Sequence, residues 1–289
     1  METDNTWVHA RELFHALADH EGPGAFTAVV EPWLRRAEAG YVGVLGEGVG
    51  MLPRSSGEDL DERCGDLLWE LYALSRVSDV LLLSFQPRPD QGPDPLDGWP
   101  SVTPAQYREL FSRLGMTPFE EAAVFDPFLH EIVEVEQAED PDEPISVTEV
   151  VWPRLRHGDV LFSRAGVRVR AGVRHAERGV ADRSPLYWTY LRRHRPTVDL
   201  SQGWGHNSQW RTDFRVDVRT PEGDHVNVCE RGDIDAVSED SVDALLTHAE
   251  RRELLRHRCL VRMPDNAAAL ADMAERWPEY HFPFEWRLP

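Results

Sequence analysis

FLHEIVEVE (residues 128–136), the acidic turn AEDPDEP (138–144) and the return ISVTEVVWPRLRHGDVLFSRAGVRVRAGV (145–173) form the stretch whose reading decides the fold. Both arms are rich in Val, Ile and Phe, and the turn between them holds two prolines and no apolar run. β-Branched and aromatic side chains suit a pleated, half-buried surface, so the pattern predicts paired strands. Side chains alternate along a strand. That alternation predicts Phe128, His130, Ile132, Glu134 and Glu136 on one face. Nowhere else does the period alone place one imidazole and two carboxylates on a common surface. His130, Glu134 and Glu136 are therefore the candidate catalytic residues, acting as general acid and base or as metal ligands at the floor of a pocket.

Residues 130–169 resemble the two sequence motifs of the cupin family, small antiparallel double-stranded barrels that often hold a divalent metal. The family's second motif runs Gly-Asp, four residues, Pro, one residue, Gly, two residues, His. Here Gly158 and Asp159 are followed by VLFS and then by Arg164, Ala165, Gly166, Val167, Arg168 and Val169. The glycines and the aspartate fit, while Arg164 stands where the family has proline and Val169 where it has a metal histidine. The first motif, His-x-His with a Glu after three or four more residues, is matched by His130 and Glu136, with Ile132 replacing the second histidine. The resemblance implies a cupin-like antiparallel β-barrel or jelly roll over residues 117–230. It also implies a divalent transition metal (Fe, Mn or Zn) on His130 and Glu136, with His175 or His206 as the remote ligand. An enzyme of this kind would be a metal-dependent oxygenase or isomerase. Residues two apart on a strand lie roughly 6.5–7 Å apart, so His130 and Glu136 could share one ion only across a bulge. The competing reading is a metal-free relative whose His130 is hydrogen-bonded in a polar lumen. His157 and Asp159 also have the His-x-Asp spacing of an iron-oxygenase triad, and the Gly-Asp equally suits a turn before a strand.

The flanks read as helix, giving an α+β protein: a helical part over 1–116, the barrel over 117–230 and a helical cap over 231–289, forming one unit. Trp7, Ala10, Phe14 and Leu17 have helical spacing, as do Phe26, Val29, Val30, Trp33 and Leu34 up to Gly40. GYVGVLGEGVG (40–50) has the glycine content of a phosphate-cradling loop. That fingerprint needs a strand before it and a helix after it. A helix precedes it here and Pro53 follows, so the segment reads as loop with a short strand. Leu60, Cys64, Leu67, Leu68, Leu71 and Leu74 mark a third helix, and VSDVLLLSF (77–85) reads as a buried strand. Residues 87–102 are loop by their prolines. Thr103-Pro104-Ala105-Gln106 opens a capped helix with core face Tyr107, Leu110, Phe111 and Leu114, ended by Gly115. After the central stretch, SPLYWTYLRRHRP (184–196) reads as a strand followed by a basic patch. Phe214, Val216 and Val218 alternate with Arg215, Asp217 and Arg219, and PEGD (221–224) turns the chain into a hairpin with HVNVCE. Thr247 to Glu250 is a capping box for a helix carrying Leu254 and Leu255; a last helix is expected around Leu270–Trp277, and the aromatic tail YHFPFEWRLP should dock on the body.

Composition removes several functions. All 31 basic residues are Arg, so the lysine of Schiff-base chemistry, pyridoxal phosphate included, and that of a Walker-type nucleotide site have no candidate. The net charge of −20 argues against nucleic acid as the main partner. Three widely spaced cysteines give neither a disulfide framework nor a Cys-x-x-Cys zinc site. With a polar, acidic start unlike a signal peptide and no apolar run approaching a membrane span, the expected location is the cytoplasm.

Charge is unevenly spread. Residues 1–150 hold 30 acidic and 9 basic groups, and residues 151–200 hold 11 Arg against 4 acids. Arg164, Arg168 and Arg170 either bridge to the acidic half or fork onto a carboxylate or phosphate ligand. GWGHNSQW (203–210) places His206, Asn207, Ser208 and Gln209 between two indoles, the lining of a small-molecule site or of a structural loop. His206, Asn207, Gln209, Trp210 and Arg211 join the arginines as candidate ligand contacts. The expected function is recognition, or modification, of a small polar or anionic molecule in the barrel. The alternative is a non-catalytic protein-binding module that uses the acidic surface.

Overall fold

The computed structural model of the chain describes residues 8–38, 40–52, 62–87, 100–120, 124–183, 189, 192–193, 214–228, 234, 236, 242–257, 259–269 and 286–288. The protein is mixed α+β, with seven α-helices and two sheets among the described residues.

The N-terminal part is helical, as the periodicity predicts, with two corrections. Helix α1 (Ala10–Ala18) buries Ala10, Leu13, Phe14 and Leu17. A π-helical turn (Phe26–Val30) runs into α2 (Glu31–Ala37), whose second residue is Pro32. Proline lacks an N–H and its ring crowds the carbonyl four residues back, which accounts for the widened turn before it. The first correction is that residues 41–49 are α3 (Tyr41–Val49), not loop and strand. Tyr41, Leu45, Gly48 and Val49 share its buried face. The glycines do not break the helix, because one lets it pack closely: a Cβ on Gly48 would lie 3.0 Å from Leu67 Cδ1. The second correction is that Glu62–Leu82 is one continuous helix, α4, so VSDVLLLSF is its last six residues and the three that follow, not a strand. Val77, Val80, Leu81 and Leu82 are buried there together with Arg76, Ser78 and Asp79. A helix buried all round has no polar face to reveal its period. Helix α5 (Pro104–Arg113) carries the predicted cap: Gln106 N–H donates to Thr103 Oγ1 and Thr103 N–H to Gln106 Oε1.

Strands β1 (Thr117–Phe119), β4 (Arg154–His157), β5 (Val160–Ser163), β7 (Asp217–Thr220), β8 (Gly223–Val226) and β9 (Trp286–Leu288) form one antiparallel sheet in the order β1-β4-β5-β7-β8-β9. The predicted hairpin is present, with Val218 opposite His225. The last strand seats the described part of the aromatic tail. A second sheet has the order β2-β6-β3, from β2 (His130–Gln137), β3 (Ser146–Trp152) and β6 (Ala165–Ala171). The two arms of the central stretch do pair, but through the far end of the return, and β2 runs parallel to β6. Among the described residues both sheets are open, with no closed barrel.

Gly158 and Gly166, which carry much of the cupin-like spacing, have local reasons here. Gly158 takes φ +56° in the β4–β5 turn, where L side chains are disfavoured. A Cβ on Gly166 would collide with the Trp152 indole, which lies across it. Of the stretch 184–196, Thr189, Arg192 and Arg193 are described and are helical; Thr189 falls where a strand is predicted and the two arginines in the basic patch after it. The short helix α6 (Val180–Arg183) precedes it, and α7 (His248–His257) follows Thr247 with its capping box formed. The expected helix at 270–277 lies outside the described residues.

One apolar core joins the N-terminal helices to Val133, Trp152, Leu155, Val160, Phe162, Phe214, Val216 and Val218, so the boundary expected at 116/117 is bridged by packing. A second core, with Ile132, Val135, Val167 and Val169, lies on the other face of the three-stranded sheet. No described helix is long and apolar enough to cross a membrane.

Candidate functional site

The predicted catalytic face is divided by one residue. In the β2–β6 register Ile132 opposes Val167 and Glu134 opposes Arg168, so Val133 is an extra residue in a bulge. A bulge leaves one residue unpaired and reverses the alternation beyond it. His130 and Ile132 therefore share a face with Val135, while Glu131, Glu134 and Glu136 share the other. Glu134 and Glu136 do not stand beside His130; they are exposed. There they form a ladder with the arginines: Arg168 bonds Glu134 at 2.8 Å and Glu149 at 2.5 Å, and Arg170 bonds Glu136 at 2.5 Å and Glu143 at 2.9 Å. The two guanidinium forks bridge to acids of residues 1–150, one of the two expectations for them.

His130 is buried, and its Nδ1 accepts from the Asp126 backbone N–H at 2.9 Å. Burial holds its pKa below the usual imidazole range; the Asp126 charge opposes this, and Arg154, Arg164 and Arg219 reinforce it. Arg164 is buried and pins the start of β2 to β7. Its Nε donates to Phe128 O at 2.9 Å and Pro127 O at 3.1 Å, and its Nη2 bonds Asp217 at 3.1 Å. Asp217 is itself buried and is bonded by Arg215 as well. His175 is exposed and bonds Asp142 O at 3.2 Å. His206, Asn207, Gln209, Trp210 and Arg211 lie outside the described residues. Among the described residues no three His, Cys, Asp or Glu side chains are grouped as a metal site requires.

The sequence alternation overlooks Glu131, which is buried on the face opposite His130. Arg192 clasps it through two nitrogens at 2.9 and 2.8 Å, and Thr189 Oγ1 donates to it at 3.2 Å. Arg192 also donates to Asp79 of α4 at 2.9 Å and to Gln86 at 2.6 Å, and stands 5.2 Å from the Trp152 ring. Burial alone would depress its pKa; the Glu131 and Asp79 charges outweigh that and raise it. This group joins the α4 core to the second sheet and is closed to solvent.

A concave surface open to solvent lies elsewhere, in the helical part. A cavity of about 520 Å³ runs between α3, α4 and the start of α1, within the size range of small-molecule sites. Its floor is organised by Glu70 of α4. One carboxylate oxygen accepts from His9 Nδ1 at 2.7 Å, and the other from the Ala10 backbone N–H at 3.0 Å and the Tyr41 hydroxyl at 2.9 Å. The carboxylate thus caps α1, whose own N-cap residue His9 makes no side-chain cap bond. Burial raises the Tyr41 pKa and the Glu70 charge adds to it, so the phenol stays a donor. Tyr41 packs edge-on against Trp33, whose indole N–H donates to His9 O at 3.1 Å. The walls are apolar and open. Of five large apolar side chains exposed among the described residues, Val44 (50%), Met51 (51%) and Trp69 (40%) line this groove.

Glu70 fixes the His9 ring through Nδ1, an arrangement able to bind a polar group or exchange a proton. One signal in the sequence points to the place. Leu67, Leu68, Leu71 and Leu74 mark the apolar face of α4, and Trp69 stands off that face beside Asp66 and Glu70. The chain matches no protein-family model, no curated protein and no solved structure.

Proposed function

We propose that this protein binds a small molecule with an apolar body in the groove between α3, α4 and the start of α1. The observation that carries this is the joint exposure of Val44, Met51 and Trp69 around a floor whose polar groups are already mutually bonded. Monomeric proteins rarely leave apolar side chains clustered in a concavity unless something covers them. A floor fixed by Glu70, Tyr41 and His9 needs no rearrangement when a ligand arrives, which lowers the cost of binding. The same exposed residues would serve the alternative of a protein partner on the acidic half; the concavity favours the smaller ligand. Recognition of an anion by a cupin-like barrel has less support, because Arg164, Arg168 and Arg170 already bond carboxylates and Glu136 lies on the face of β2 away from His130.

Ligand-observed NMR with a fragment library tests the groove. Aromatic and aliphatic fragments should show saturation transfer that Trp69→Ala and Val44→Asp abolish while the circular dichroism spectrum stays unchanged. Transfer that survives both substitutions would refute the assignment.

A further inference from the structure

Resting on the groove assignment, we infer that its ligand is an organic cation: an ammonium group carried on an apolar or aromatic body. The sign of charge around the cavity decides this. Among the described residues the charged or titratable lining is Glu47, Asp66, Glu70, His9 and the Tyr41 phenol, with no arginine. Glu70 is committed to three donors within the fold, so it serves the scaffold. Glu47 and Asp66 differ from it: both are exposed, and among the described residues neither has an ion-pair partner.

Helical spacing puts these two carboxylates beside the apolar surfaces. On α3, Val44 and Glu47 fall at i and i+3, and Met51 follows two residues beyond its end; on α4, Asp66, Trp69 and Glu70 fall at i, i+3 and i+4. Such positions share one side of a helix. Each wall of the groove therefore offers one carboxylate next to large apolar side chains. An ammonium near Glu47 and Asp66 would neutralise like charges and could lie against the Trp69 face, which attracts cations. Among the described lining residues an anion would meet three carboxylates, with the Tyr41 dipole and the His9 imidazole, itself bonded to Glu70, as the opposing groups. A second copy of the chain is disfavoured as occupant, since it would bring another net charge of −20 to an acidic rim.

Three probes of one shape separate the terms: 2-phenylethylammonium, 2-phenylethanol and 3-phenylpropionate, titrated calorimetrically against the full chain at low salt. The ammonium should bind about tenfold more tightly than the alcohol, and the carboxylate more weakly than either. Glu47→Gln and Asp66→Asn should each weaken the ammonium about threefold, as exposed ion pairs do, and leave the alcohol unchanged. Raising the salt should erode only the ammonium's advantage. If the alcohol matches the ammonium, or the double variant keeps the preference, the cation assignment fails. The groove assignment survives that result provided Trp69→Ala still abolishes all probes. If no probe binds and Trp69→Ala instead abolishes a concentration-dependent dimer seen by sedimentation, both assignments fail and the occupant is a second copy.

Discussion

Replacing Glu131 by Gln, or Arg192 by Met, should destabilise the protein far more than any substitution in the neighbouring surface ladder. The side chains of Arg192, Glu131 and Asp79 are 2%, 4% and 10% exposed, so little solvent screens them. Removing one partner of a buried ion pair costs about 3–5 kcal/mol, because the remaining charge stays buried without compensation. Glu131→Gln leaves Arg192 bonded to Asp79 and Gln86, which places its cost at the lower end, about 3 kcal/mol. Arg192→Met leaves Glu131, among the described residues, with the Thr189 hydroxyl alone, while Asp79 keeps Arg76, which places it at the upper end, about 5 kcal/mol. The double variant removes a cation and an anion together and should cost at least about 2 kcal/mol less than the sum. Urea unfolding followed by tryptophan fluorescence gives all three values, with equal m-values as the condition for comparing them. Glu131→Gln unfolding within about 1 kcal/mol of the parent, or additivity within about 0.5 kcal/mol, would refute the network as a joint between helices and sheet.

The ladder gives the contrast: Glu134→Gln and Glu136→Gln should each shift stability by less than about 1 kcal/mol in the same assay, as exposed ion pairs do. Gly166→Ala should cost about 1–3 kcal/mol by overpacking against Trp152, and the cost should vanish when the alanine is introduced into a Trp152→Ala background. For His257, burial, helped by the Arg256 and Arg164 charges, holds the pKa down to about 3 from 6.5. A base depressed in the folded state contributes stability in full above the unfolded value of 6.5 and loses it as pH falls toward 3. At pH 5 the loss is about 2 kcal/mol, 1.5 units at about 1.36 kcal/mol each. His257→Phe, which keeps a ring against Phe125, should therefore flatten the difference in unfolding free energy between pH 7.5 and 5 by that amount; parallel pH profiles would contradict it.

What was legible in the sequence follows from which forces act locally. The caps at Thr103 and Thr247 formed as read, since a cap is settled within four residues. The α1 and α5 core faces and the β7–β8 hairpin are also local patterns. Helix α3 was hidden because glycine content suggests a loop, and the reason for Gly48 is the Leu67 side chain on another helix. The last six residues of α4 are hidden because they are buried on every side, and a short apolar run reads equally as strand. Parallel pairing of β2 with β6 is a long-range choice that no local signal announces.

The candidate site shows the same division with larger consequences. The alternation predicts the β2 strand, yet one extra residue undoes the functional inference drawn from it. Val133 belongs to the large core with the N-terminal helices, whereas Ile132 and Val135 belong to the second core. Strict alternation would send Ile132 and Val133 to opposite faces and then put Val135 with Val133, exposing it beside Arg168 and Arg170. The bulge resolves this conflict: it turns Val135 into the second core and sends Glu134 and Glu136 to the arginines. Both cores are thereby satisfied, at the cost of the shared surface that made His130 and its acidic neighbours look catalytic. A strand that packs on two cores is thus a poor place to infer a site from period alone. An off-face aromatic such as Trp69, 40% exposed on the rim of the groove, is the better guide in this chain.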